Sequence, residues 1–142
     1  MKRVVVDASV VLKWYLPDEQ GTDQALSMLA EFMEGNLILH APDLIDYEFV
    51  NAMWVAGQRG RMSVQDRNAS VNNFLNIEIV KTNIKMFIES LLTLATEYHR
   101  SCYDAAYLAL SNTIDAPLVT GDKRLYSAVK DTIPSVIWIE DL

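Results

Sequence analysis

Four acidic residues stand where their carboxylates can do chemistry. Asp7 directly follows the β-branched run Val4-Val5-Val6, with Ser9 two residues on. Glu48 lies in a helical pattern with apolar neighbours four residues to either side, Leu44 and Ala52, and Asn51 shares its face. Asp104 is the lone charge between Arg100 and Asp115, within Ser-Cys-Tyr-Asp-Ala-Ala-Tyr-Leu-Ala-Leu-Ser. Asp122 sits in Val-Thr-Gly-Asp-Lys-Arg-Leu at a strand-to-helix turn, beside the Thr120 hydroxyl, where Gly121 permits a tight backbone path. A carboxylate on an apolar face must be paired, protonated or bound to a cation. An acid in the first turn of a helix gains from the helix dipole and from free backbone N–H groups.

Each position also has a plainer reading. Asp7 can be a solvated turn residue, Glu48 a rim residue, and Asp104 and Asp122 simple helix caps. Taken together, the acids would repel one another without a cation. An all-oxygen ligand set with no Cys/His cluster selects Mg²⁺ or Mn²⁺ over zinc. Ser9, Asn51 and Thr120 are the polar side chains placed to support such a set. His40 and His99 lie far apart and carry no ligand spacing, and His99-Arg100 reads as a helix C-terminus. Cys102 reads as a packed small residue, since no histidine stands near it in sequence to activate it.

The elements that must hold these acids alternate between strand and helix. Val4–Val6 reads as a buried parallel strand. Ala25, Met28, Leu29, Phe32 and Met33 repeat at helical spacing up to a stop at Gly35. Leu37–Leu39 is the next strand, and Pro42-Asp43 opens a helix running to about Gly57. Ser63-Val64-Gln65-Asp66 has capping-box spacing and begins another helix. Ile77–Val80 is a weak strand candidate, and Ile84 to Tyr98 carries one amphipathic stripe. A helix from Tyr103 to Thr113, apolar enough to be buried on most sides, precedes a strand over Pro117–Thr120. A short helix from Asp122 to about Val129 and a strand over Val136–Ile139 close the chain. This alternation predicts an α/β/α sandwich with a mainly parallel central sheet, in which ligands bind beyond the carboxyl ends of the strands.

Bulk properties set the frame. A chain of 142 residues is read as a single domain over 1–142. It is 51% hydrophobic and 22% charged, a globular composition that needs no disulfide or structural metal to fold. One cysteine and no membrane-length apolar run fit a cytoplasmic protein. The net charge of −7 argues against a basic nucleic-acid binder and suits a protein that concentrates carboxylates for a cation or docks a basic partner.

The segments VVVDASV, DLIDYEFVNAM, YDAAYLALS and PLVTGDKRL resemble, in order and spacing, the blocks of PIN-domain proteins, and most of all the VapC-type toxins of toxin–antitoxin pairs. The resemblance spans Val4 to Trp138; YDAAYLAL followed by TGDKRL is its specific part. It implies a Mg²⁺- or Mn²⁺-dependent endoribonuclease that leaves 5′-phosphate and 3′-hydroxyl ends. The family's acids map to Asp7, Glu48, Asp104 and Asp122, and its polar helpers to Ser9 and Thr120. Asp7 and Asp104 would hold the metal directly, and Glu48 and Asp122 would ligate it, a second ion or a bound water. An RNA substrate, a cognate antitoxin and a homodimer are the implied partners, and no membrane is involved. RNA would approach through Lys13, Arg59, Arg61, Lys123 and Arg124, with Trp14 or Tyr15 as stacking groups. The rival is a PIN-fold binding module that acts by partner docking. A haloacid-dehalogenase-like phosphatase would need a second acid where Ser9 stands.

Overall fold

The computed structural model describes residues 1–142 and centres on a five-stranded, wholly parallel sheet. Strands β1 (Lys2–Val6), β2 (Leu37–Pro42), β3 (Val80–Thr82), β4 (Leu118–Thr120) and β5 (Val136–Trp138) stand in the order β3-β2-β1-β4-β5. Helices α1 (Ala8–Leu12), α2 (Thr22–Met33), α3 (Ile45–Gln58), α4 (Val64–Leu75), α5 (Ile88–Tyr98), α6 (Cys102–Ile114) and α7 (Lys123–Val129) fill the connections. Val4, Val5 and Val6 are all buried. Since successive strand side chains point to opposite faces, both faces of the sheet are covered, as the sandwich expectation requires. No helix is long and apolar enough to cross a membrane.

The strand order decides where a ligand can sit. From β1 the chain steps outward to β2 and β3, then crosses back to β4 and β5 on the other side. The order reverses between β1 and β4, the place where open parallel sheets of this kind bind ligands, in the crevice beyond the carboxyl ends of the strands. The register pairs Val6 with Val119, so the next residues along each strand, Asp7 and Thr120, meet at the crevice. Helix α6 packs across β1, β2 and β4 with Ala105 through Ser111 all buried, which is why its sequence carries a single acid among small and apolar residues. Phe49 of α3 and Phe74 of α4, ring centroids 4.1 Å apart, lock that helix pair into the core.

Several boundaries differ from the sequence reading. β2 continues to Pro42, and α3 starts at Ile45 rather than at Pro42-Asp43. The Pro42 position is taken up by parallel pairing with Thr82. β3 is Val80–Thr82 instead of Ile77–Val80, because Ile79 packs into the core and pairing with β2 begins only at Val80. The Ile84–Tyr98 stripe is broken into a 3-10 turn, Ile84–Phe87, and α5. The last strand ends at Trp138, and Ile139 enters a second 3-10 turn. Ser63 caps α4 by accepting from the Asp66 N–H at 3.0 Å, as its spacing indicated. His99 does end α5, in the left-handed conformation (φ 51°).

Candidate active site

Asp7 is the anchor of the crevice. It is 5% exposed, and the hydroxyls of Ser9 and Thr120 donate to its two carboxylate oxygens. The Val10 N–H also donates to it at 3.3 Å, so Asp7 itself caps α1 and Ser9 does not. Ser9 Oγ in turn accepts from the Gly121 N–H at 2.8 Å, and Thr120 Oγ1 accepts from the Asp122 N–H at 3.0 Å. The two hydroxyls therefore tie the β1 end to the β4–α7 turn through a single carboxylate. Burial pushes the Asp7 carboxyl up to about 6, against these hydrogen bonds, and the Asp122 charge adds to the rise.

Glu48 reaches the same place from α3. It is half-buried, and the Tyr107 hydroxyl of α6 donates to its Oε1 at 2.6 Å. Burial raises its carboxyl; the tyrosine bond opposes this, and the charges of Asp104 and Asp122 add to it. Asn51, expected to orient Glu48, is exposed and makes no bond to it. Tyr107 does that work, and the sequence analysis missed it. Its one signal was the three-residue spacing from Asp104, which puts both on the same side of α6. Tyr107 itself is held protonated, by burial first and then by the Glu48 charge.

Asp104 lies in the first turn of α6 but is not its cap, for Ser101 Oγ accepts from the Asp104 N–H at 3.1 Å. Burial and the Asp122 charge raise its carboxyl, and Arg100 opposes them. Asp122 caps α7, with Oδ1 accepting from the N–H groups of Arg124 at 2.9 Å and Leu125 at 3.2 Å. The Asp122 charge is felt at each of the other three acids, Asp7, Glu48 and Asp104. As the side chains stand, no three of them converge into a ready-made chelate.

The basic and aromatic candidates divide. Lys123 and Arg124 are exposed on α7 beside Asp122, and Arg59 is exposed at the end of α3. Arg61 is engaged instead, in a two-pronged pair with Asp18 (3.0 and 2.7 Å) that extends to Glu19 at 3.5 Å. Trp14 is not free to stack on a ligand, because its indole N–H donates to the Ala25 carbonyl at 2.9 Å. Tyr15 is committed too, through an edge contact to Phe49 and a 2.6 Å bond from its hydroxyl to Asn73, and burial pushes its hydroxyl up to about 12. Lys13, read as a surface base, is 6% exposed, because α1 ends there and turns the side chain across Gly121. Cys102 is exposed at the start of α6, not packed.

The PIN domain family model matches residues 4–131. The chain belongs to the PIN-domain family. This PIN domain is 33% identical over 129 residues to Ribonuclease VapC3 of Pyrobaculum aerophilum, a match covering 87% of this chain and 92% of that one. Its fold is similar to a crystal structure of a Pyrobaculum aerophilum protein, with a TM-score of 0.70 at 22% identity over 99% of this chain and 85% of the other. It is also similar to VapBC2 of Rickettsia felis, solved bound to a DNA fragment from its promoter, with a TM-score of 0.60 at 13% identity over 96% of each chain. These two likenesses concern the fold.

Proposed function

We propose that residues 1–142 act as one domain, a divalent-metal-dependent endoribonuclease with Asp7, Glu48, Asp104 and Asp122 as its active-site carboxylates. The observation that carries this reading is the buried Asp7 at the strand switch point, tied through the Thr120 hydroxyl to the Asp122 backbone, with the Asp122 charge raising the carboxyls of Asp7, Glu48 and Asp104. A binding module has no use for that repulsion, whereas a site that receives a cation does. The donor chemistry fits Mg²⁺ or Mn²⁺. Magnesium commonly takes one or two carboxylates and keeps several waters, so it does not demand three converging acids.

When bound, the ion would supply an activated water and charge neutralisation at the phosphate. The chain's own residues do the positioning. Ser9 and Thr120 hold Asp7 with both oxygens oriented, which fixes one side of the ion's site. Tyr107 holds Glu48, and Asp104 stands in the first turn of α6, where either carboxylate would be available to the ion. Exposed Lys123, Arg124 and Arg59, none of them ion-paired, supply local positive charge for an approaching RNA within an overall charge of −7.

The same reading makes this PIN domain the toxin of a toxin–antitoxin pair, working in the cytoplasm as a homodimer. Its sequence relative is a VapC ribonuclease, and the acidic crevice suits a basic side chain from an inhibitory antitoxin. Exposed Tyr47, Val50 and Trp54 on α3 supply apolar surface for assembly.

The test incubates purified protein with a mixed RNA pool, with and without Mg²⁺ or Mn²⁺, and sequences the new ends. New 5′-phosphate ends that disappear with excess chelator are expected. Full cleavage in chelator overturns the metal, and absence of cleavage with either ion overturns the nuclease.

A further inference from the structure

Lys13 is a cation without a partner. Its residue is nine-tenths buried, yet its ammonium makes no ion pair and no hydrogen bond with the protein. What is buried is the aliphatic stem, while the ammonium opens onto the neighbouring cleft, free to meet an anion there. The aliphatic stem crosses Gly121 so closely that a Cβ there would lie 2.6 Å from Lys13 Cε and 3.1 Å from Nζ. Ser9 Oγ flanks the same point at 3.4 Å, so the ammonium emerges beside the hydroxyls that clamp Asp7. Gly121 leaves the room in which the lysine takes this position, and a side chain there would push the flexible end of Lys13 aside.

The ammonium borders a cleft of about 580 Å³ between the end of α1 and α7, within the range of small-ligand sites. Lys123 and Lys130 also line it, and neither has an ion-pair partner. Of the acids on its wall, Asp18 and Glu19 share Arg61, and Glu140 accepts from the Trp138 indole N–H at 3.1 Å and keeps its charge. With Arg61 counted, four cations stand against three acids around the cleft, a formal charge of +1 in a protein that is acidic overall. Tyr126 and Trp138 complete it, with ring centroids 5.6 Å apart and planes inclined at 39°. Unpaired cations next to partly exposed rings are the elements of single-strand recognition, in which lysines take phosphates and rings take bases.

Building on the ribonuclease reading, we propose that this cleft holds the nucleotide flanking the scissile bond of a single-stranded RNA, with the Lys13 ammonium on its phosphate and its base against Tyr126 and Trp138. Lys13 is a binding residue here, and Gly121 leaves room for it.

Steady-state cleavage of a single-stranded oligonucleotide in Mg²⁺ or Mn²⁺, over a series of NaCl concentrations, tests this. Lys13→Met keeps the stem and removes the charge. It should raise KM about tenfold with little change in kcat, and should lower the slope of log kcat/KM against log salt by about 0.7, the value for one phosphate contact on a single strand. Lys13→Arg should keep the wild-type slope, and the remote exposed Lys85→Met should behave as wild type. An abasic substitution next to the cut should weaken the wild type about tenfold. Cleavage by the wild type with an unchanged slope in Lys13→Met overturns the subsite and leaves the ribonuclease standing. A wild type that cuts no RNA removes the reading beneath both. If Lys13→Met spares RNA cleavage but relieves inhibition by a co-purified protein, the cleft serves that protein and the proposal falls. If it instead melts many degrees lower with an unchanged KM, Lys13 is structural.

Discussion

Replacing Asp7 by Asn should stabilise the metal-free protein at neutral pH while abolishing its activity. The carboxyl stands at about 6 in the folded protein against 3.8 in the ordinary case, chiefly through burial. The rise of roughly 2 units is worth about 3 kcal/mol at 1.36 kcal/mol per unit. The sign follows from linkage. A group whose folded value is raised contributes stability below its unfolded value near 3.8, and that stability is lost as pH rises through about 6. At pH 7 the wild type has lost all of it. Asn is nearly isosteric and carries no charge. Its oxygen can still accept from Ser9 and Val10, but the Thr120 hydroxyl loses its acceptor, which costs about 1 kcal/mol. The net gain is about 2 kcal/mol, or roughly 6 °C in Tm for a chain of this size. Thermal melts in EDTA from pH 4 to pH 7.5 would measure it. Near pH 4 the two proteins should lie within about 1 kcal/mol of each other, and the gap should open between pH 4 and 6. Saturating Mg²⁺ should narrow it, since only the wild type gains binding energy. A mutant that melts several degrees lower at pH 7, or a gap independent of pH, would refute the argument from burial.

Tyr107→Phe removes the donor to Glu48 and should cost about 1–2 kcal/mol of stability and roughly tenfold in kcat/KM, read by melts and by RNA cleavage. Phe74→Ala, which empties a fully buried ring site against Phe49, should cost about 3–5 kcal/mol in denaturant titration. Arg61→Ala breaks a solvent-facing pair with Asp18 and should change stability by less than about 1 kcal/mol, less still in high salt.

Much of the site was legible because its signals are local. A β-branched run ending in Asp7, an apolar helix holding one acid, and a glycine turn before Asp122 each read within a few residues. Alternation of strand and helix periods identified the parallel sandwich, and the spacing of the blocks pointed to the PIN-domain family, which the match over 4–131 bears out. Boundaries slipped where pairing, not propensity, set them. β2 runs on to Pro42 and β3 begins at Val80 because those residues face each other across a ladder that no local window contains.

What local pattern could not supply was the identity of each side chain's partner. The Thr120 hydroxyl reaches Asp7 across 113 residues, and Tyr107 reaches Glu48 across 59. Both contacts exist because the strand order places β1 beside β4 and lays α6 over them. Lys13, Trp14 and Tyr15 are adjacent in sequence and look alike as surface candidates, yet they have three different fates: a cleft cation, a clamp on α2 and a ring packed on Phe49. Residue types and spacing were enough to nominate the groups proposed for this protein's chemistry. Only packing over long sequence separations decided which of them meet, and which of them lack a partner within the protein.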